Sequence, residues 1–163
     1  MTFHEALPVG LESSSALCDI ELTAPVPAGD ILQRLNRELP DGITILTATE
    51  NVLKSSTAPA TIKKYSVTLP DHPALHFPDH DGLARSIADF KARDTCMIQI
   101  IKKDKTIEVD LKKILMEISV NNDGVVSMAL DANGHSMPKI TSIMAAVFEL
   151  GLREQKSVRI MKI

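Results

Sequence analysis

The sequence predicts an α+β fold made of two similar halves, with helices packed on mixed or antiparallel sheets. Segments that alternate apolar and polar residues, or are rich in β-branched residues, indicate strands. They are interleaved with segments whose apolar residues recur at helical spacing, and the pattern restarts after a stretch of small residues. We therefore expect two ferredoxin-like halves of the βαββαβ type, of which the first is incomplete.

The first half is predicted to be a strand–helix–strand unit within residues 1–52. Residues 16–24 alternate in polarity and indicate a half-buried strand, while Ile31, Leu32, Leu35 and Leu39 have helical spacing behind Asp30, a candidate N-cap. The β-branched residues of segment 43–49 indicate a second strand. The small residues of segment 53–62 are predicted to connect the two halves.

The second half, residues 63–163, is predicted to have strands, two helices and a tight hairpin. Asn121–Gly124 favours a hairpin turn because Asn and Gly tolerate positive φ, and Gly151 is a candidate residue to end the last helix. We predict helices at 82–93 and 138–150 and strands at 64–69, 95–101, 106–109, 116–120, 125–131 and 157–163.

Composition excludes several classes of protein. Hydrophobic residues make up 44% of the 163 residues, which argues against disorder. Aromatic residues make up only 3%, which argues against a stacking platform for single-stranded nucleic acid. No apolar run is long enough to span a bilayer, and residues 1–10 do not resemble a signal peptide. We therefore expect a cytoplasmic protein, with Cys18 and Cys96 as buried, reduced thiols.

The charge is unevenly distributed along the chain. Residues 1–50 carry eight acidic and two basic side chains, whereas residues 101–163 carry eight acidic and ten basic ones. With a net charge of −3, only a local basic patch could bind a phosphate backbone. The alternative is a solvated surface, since acidic residues are interspersed. The candidate RNA-binding or ligand-binding residues are Lys102, Lys103, Lys105, Lys112 and Lys113.

One segment has the residue types of a metal site. His72, His76 and His80 occur at intervals of four, with aspartates at 71, 79 and 81, and imidazole and carboxylate groups together can bind Zn²⁺, Ni²⁺ or Fe²⁺. Pro73 and Pro78 interrupt a regular helix here, so the alternative is a solvated loop that is rich in histidine. The sequence has no CxxC, P-loop, GxGxxG or GxSxG motif. We therefore expect no cofactor, and the catalytic residues are unknown.

Several blocks of the sequence resemble a known family. ALPVGLES (6–13), DIELT (19–23), LNRELPDGI (35–43), VDLKKIL (109–115) and GHSMPKI (134–140) are similar to the radical-SAM-linked domain of unknown function. The resemblance covers nearly the whole chain and implies a cobalamin-type radical SAM protein as partner. Family members usually have further residues before the ALPVG block. We therefore expect an exposed sheet edge near residues 3–10, through which copies of the chain could form a homo-oligomer.

Three functions are consistent with these features. The leading hypothesis is an accessory or substrate-recognition module of a radical SAM protein, with RNA as the candidate substrate and no catalysis by the chain alone. The first alternative is an RNA-processing or RNA-modifying enzyme that uses a cleft between the halves, with His4 or His135 as general base. The second alternative is a metal-binding protein that uses the 72–80 loop.

Overall fold

The computed structural model describes residues 2–4, 7–50, 62–71, 74–102, 105–134 and 136–163. In chain order the elements are β1 (Thr2–Phe3), β2 (Leu11–Ser13), β3 (Cys18–Asp19), α1 (Ala28–Glu38), β4 (Ile62–Thr68), α2 (His80–Ala92), β5 (Met97–Lys102), β6 (Lys105–Asp110), α3 (Leu111–Ile114), β7 (Leu115–Val120), β8 (Val126–Asp131), α4 (Ile140–Phe148), α5 (Leu152–Ser157) and β9 (Arg159–Lys162). The predicted α+β class is confirmed.

The chain divides into two compact units. The first combines Met1–Glu5 with Leu17–Pro59, and the second combines Ala6–Ala16 with Ala60–Ile163. Most of the predicted 53–62 connector lies outside the described residues. The boundaries predicted for two ferredoxin-like halves, 1–52 and 63–163, therefore stay a prediction.

The first unit contains the β1–β3 pair and helix α1. The two strands are antiparallel, with Phe3 opposite Cys18. Helix α1 begins at Ala28 after the extended Pro27, so the prediction of Asp30 as its N-cap was wrong. Asp30 instead lies in the first turn, where its charge complements the positive end of the helix dipole.

The predicted strand at 43–49 does not form, and the predicted 16–24 strand is reduced to Cys18–Asp19. The Asn36 side chain explains part of this difference. Its amide donates to the Ile45 carbonyl at 3.0 Å, and its oxygen accepts from the Ile45 N–H at 2.8 Å. One side chain therefore pairs both backbone groups of Ile45, so this β-branched segment has a substitute for a partner strand.

The second unit is built on a five-stranded sheet in the order β2-β9-β4-β8-β7. Its neighbouring strands are antiparallel except for β2 and β9, which are parallel. Apart from the β5–β6 hairpin, β2 and the two short helices, its elements follow the order β-α-β-β-α-β. Strands β5 and β6 form a separate two-stranded sheet inserted between α2 and α3.

The hydrophobic core lies in the second unit. Helix α2 contributes Leu83, Ile87 and Phe90, and the central strand β4 contributes Tyr65 and Val67. Helix α4 is apolar on most of its surface and buries five residues, namely Ile140, Ile143, Met144, Val147 and Phe148. In contrast, α1 of the first unit has no buried residue.

Three further expectations need correction. Cys96 is buried as predicted, but Cys18 is exposed because it lies in the two-residue strand β3 of the first unit, where none of the described residues is buried. Helix α4 ends at Phe148, and the left-handed residue after it is Glu149 rather than Gly151. Ser157, predicted as the first residue of the last strand, is the last residue of helix α5, while the strand itself is present as β9. In the described part of the chain, no helix is long and apolar enough to cross a membrane.

Candidate functional site

The β5–β6 hairpin carries the first part of the predicted basic cluster. Its strands pair in register from Met97 and Asp110 to Lys102 and Lys105 at the tip. Alternate residues Ile98, Ile100 and Ile107 pack against the core. The opposite face presents Met97, 55% exposed, and Ile101, 83% exposed. Lys105 is exposed, whereas Lys103 and the side chain of Lys102 lie outside the described part of the structure.

Lys112, at the base of the hairpin, has a structural role. Its Nζ donates hydrogen bonds to the carbonyl oxygens of Lys91 at 2.9 Å and Phe90 at 3.3 Å. The same ammonium lies 5.0 Å from the centre of the Phe90 ring. A cation is favourable at the carbonyl end of a helix and over an aromatic ring. Lys112 therefore caps the C-terminus of α2.

Asp110 also stabilises the base of the hairpin, through two hydrogen bonds to its side chain. Its Oδ1 accepts from the backbone N–H of Cys96 at 2.9 Å and of Lys112 at 3.1 Å, so Asp110 is the N-cap of α3. The Cys96 N–H bond is the largest influence on the Asp110 pKa. Together with the Lys112 N–H and the charges of Lys113 and Lys112, it outweighs desolvation and lowers this pKa below its usual value.

The structure divides the predicted lysine cluster. A strand rises roughly 3.3 Å per residue, so the length of β6 separates Lys105 at the tip from the base by about 17 Å. Lys113 is exposed at the base, whereas the Lys112 ammonium is hydrogen-bonded to carbonyl oxygen at the end of α2. The sequence could not separate these roles, because the carbonyl groups that Lys112 binds belong to residues 21 and 22 positions earlier.

The predicted histidine set is only partly described, since His72 lies outside the described residues. The His76 backbone N–H donates to Glu154 Oε1 at 3.3 Å, which joins the loop to α5. His80 begins α2, with its Nδ1 3.6 Å from Asp81 Oδ1. Among the described residues, no group of three or more His, Cys, Asp or Glu side chains could hold a metal ion. The three-histidine site stays a prediction.

Glu154 is the acceptor that holds this loop. Its own backbone N–H and then that of His76 are the largest influences on the Glu154 carboxylate and lower its pKa below the usual value. Nearby, a depression of about 260 Å³ is lined by Leu75, Phe77, His80 and Asp123, among others.

A groove in the first unit was not identified from the sequence. We call it the α1 groove; it has a volume of about 570 Å³. Its apolar lining comes from Ile20, Leu22, Val26, Ile31 and Leu35, and its charged lining comes from Arg34, Arg37 and Glu38. The sequence features that could have indicated this groove are the alternating apolar residues Ile20 and Leu22 and the two arginines three positions apart on the helix.

The first unit also has an oriented histidine. His4 Nε2 lies 2.8 Å from Asp19 Oδ2, and the His4 backbone N–H donates to the Leu17 carbonyl. A carboxylate bound to one ring nitrogen fixes the orientation of an imidazole, as in many general bases. Thr2 and Asp19 are opposite each other in the strand pair, so alternation places Cys18 on the other face from Asp19. His135, the other candidate base, lies outside the described residues.

The comparisons identify a family without a known activity. No curated protein and no solved structure matches the chain. The family described as "Uncharacterized protein conserved in bacteria (DUF2344)" matches residues 1–140, which is most of the 163-residue chain. The chain therefore belongs to this uncharacterised family of conserved bacterial proteins.

Proposed function

We propose that the chain is an accessory, substrate-recognition module of a cobalamin-type radical SAM protein, with RNA as the substrate and no catalysis by the chain alone. The observation that carries this proposal is the β5–β6 hairpin. It is separate from the five-stranded sheet, and it presents exposed Ile101 next to a tip formed by Lys102 and Lys105. The similarity of several sequence blocks to the radical-SAM-linked family supports the choice of protein partner.

The two ends of the hairpin suit a recognition element. At the base, Asp110 accepts two backbone hydrogen bonds and Leu111 N–H donates to the Cys96 carbonyl at 2.8 Å, which joins the two ends of the hairpin. Its isoleucines at 98, 100 and 107 pack against the core. At the tip, an apolar side chain and a cation are exposed together. Preorganised binding elements lose less conformational entropy when they bind. Exposed apolar anchors contact protein partners, while lysines contact phosphate.

RNA binding and partner binding can be tested with one pair of variants. Ile101→Ser/Lys105→Ala changes the tip, and Leu152→Ser/Lys156→Ala is the matched control because Leu152 is 76% exposed and Lys156 is exposed on α5. We expect the tip variant to weaken binding to the radical SAM protein from the same organism in calorimetric titration. It should also reduce the salt slope for a single-stranded RNA by about 0.7, the contribution of one phosphate contact.

Each part of the proposal can fail separately. Absence of binding between the wild-type chain and the radical SAM protein would reject the accessory role. Binding to RNA that does not depend on salt, or that both variants weaken equally, would reject the tip as an RNA contact. Cleavage of the RNA by the chain alone that is lost in His4→Ala would instead favour an RNA-processing enzyme with the His4–Asp19 pair as its base.

A further inference from the structure

The α1 groove combines five apolar lining residues with two arginines and one glutamate. The segment before α1 contributes Ile20, Leu22 and Val26, and α1 contributes Ile31 and Leu35. Ile20 and Leu22 remain 38% and 44% exposed, and no residue of α1 is buried. Its volume of about 570 Å³ lies within the usual range for small-molecule sites, roughly 300–1,000 Å³.

Arg34 and Arg37 supply the positive charge of the groove. They are three positions apart on α1, so they are neighbours on one helix face, where like charges repel. In the part of the chain that the structure describes, neither guanidinium group makes an ion pair or a side-chain hydrogen bond. Guanidinium groups bind carboxylate and phosphate in bidentate geometry. A single anion placed between the two arginines would remove their repulsion.

The surrounding charge favours a ligand with one anionic group over a polyanion. Within residues 17–50 of the first unit there are six acidic side chains, and Arg34 and Arg37 are the only basic ones. Glu38 also lines the α1 groove. A nucleic acid backbone would therefore be repelled over most of this region. A single anionic head group can contact the two arginines alone, and the apolar side chains of the groove can then contact the rest of the ligand.

We propose that the α1 groove binds a small amphipathic anion, which is an aliphatic chain that ends in one carboxylate or phosphate group. The chain packs against Ile20, Leu22 and Leu35, and the head group accepts hydrogen bonds from Arg34 and Arg37. This site lies in the first unit, whereas the β5–β6 hairpin lies in the second. The proposal does not depend on the recognition of RNA or of a radical SAM protein.

Amide chemical shifts of the isotope-labelled chain provide the test. The probes are decanoate, decyl phosphate, decanol and decyltrimethylammonium, which share the alkyl chain and differ in the charge of the head group. We expect decanoate and decyl phosphate to shift amides within residues 18–38 and to bind about tenfold more tightly than decanol, the effect of one charge-assisted hydrogen-bonded contact. A preference for only one of the two anions would identify the head group.

Variants distinguish the head-group contact from general apolar binding. Arg34→Gln/Arg37→Gln should remove the advantage of the anions over decanol, while circular dichroism shows unchanged helix content because both side chains are exposed. The matched control is Arg93→Gln/Arg153→Gln, which changes two exposed arginines of the second unit and should keep the advantage. Equal binding of all four probes, shifts outside residues 18–38, or equal loss in both variants would overturn the proposal.

Discussion

At the scale of single residues, the basic segment 102–113 contains side chains with different roles. Lys112 binds two carbonyl groups at the end of α2, whereas its neighbour Lys113 is exposed. Both are lysines in the same charge run, so the sequence predicts one role for the two. The partners that distinguish Lys112 are Phe90 and Lys91, which lie 22 and 21 positions earlier and are close to it only in the folded chain. The RNA-binding role proposed for the tip of the hairpin therefore does not extend to Lys112.

The first prediction concerns the stability that Lys112 provides. Lys112→Met should lower the free energy of unfolding by about 1–2 kcal/mol, because it removes charge-assisted hydrogen bonds to carbonyl groups at a helix end. Lys113→Met should change it by less than about 0.5 kcal/mol, as expected for an exposed surface position. Urea denaturation followed by circular dichroism measures both values. Equal effects of the two substitutions would show that α2 does not depend on the Lys112 cap.

At the scale of elements, helix ends were predicted less well than helices. Both predicted helices of the second half are present, at His80–Ala92 and Ile140–Phe148. Glycine commonly follows a helix, and Gly151 was therefore predicted to end the last one. The chain instead adopts the left-handed conformation at Glu149, with φ of 56°. Gly151 has φ of −68° and precedes α5, so the preference of glycine for positive φ is not used there.

The second prediction follows from this conformation. Glu149→Gly should raise the free energy of unfolding by about 0.5–1 kcal/mol, because a residue with a Cβ is strained at positive φ and glycine is not. Glu117→Gly is the control, since Glu117 is an exposed acidic residue in strand β7, where glycine should destabilise. Thermal unfolding of the two variants gives the comparison. A lower stability for Glu149→Gly would mean that other contacts of this side chain outweigh the strain.

At the scale of the whole molecule, local patterns predict much of the second unit but little of the first. Alternation and helical spacing identify the strands and helices around the core, where burial reinforces each local preference. They cannot predict that β2 pairs with β9, since Leu11 and its partner Ile160 are far apart in sequence. In the first unit, the Asn36 side chain replaces strand pairing at Ile45. The α1 groove likewise depends on how the segment of residues 20–26 lies beside α1.

The last prediction is that the two units differ in protection from hydrogen exchange. Helix α1 has no buried residue, whereas α2 and α4 bury three and five residues in the core. Local opening requires less free energy where few apolar contacts must be broken. We therefore expect amides of α1 to exchange faster than those of α4 by about two orders of magnitude or more, measured by mass spectrometry of peptides. Helix α5 is the internal control, because it belongs to the second unit but has no buried residue. It should exchange as fast as α1 if burial decides protection. Slow exchange of α1 at the rate of α4 would show that the first unit is stabilised by interactions other than burial of its helix.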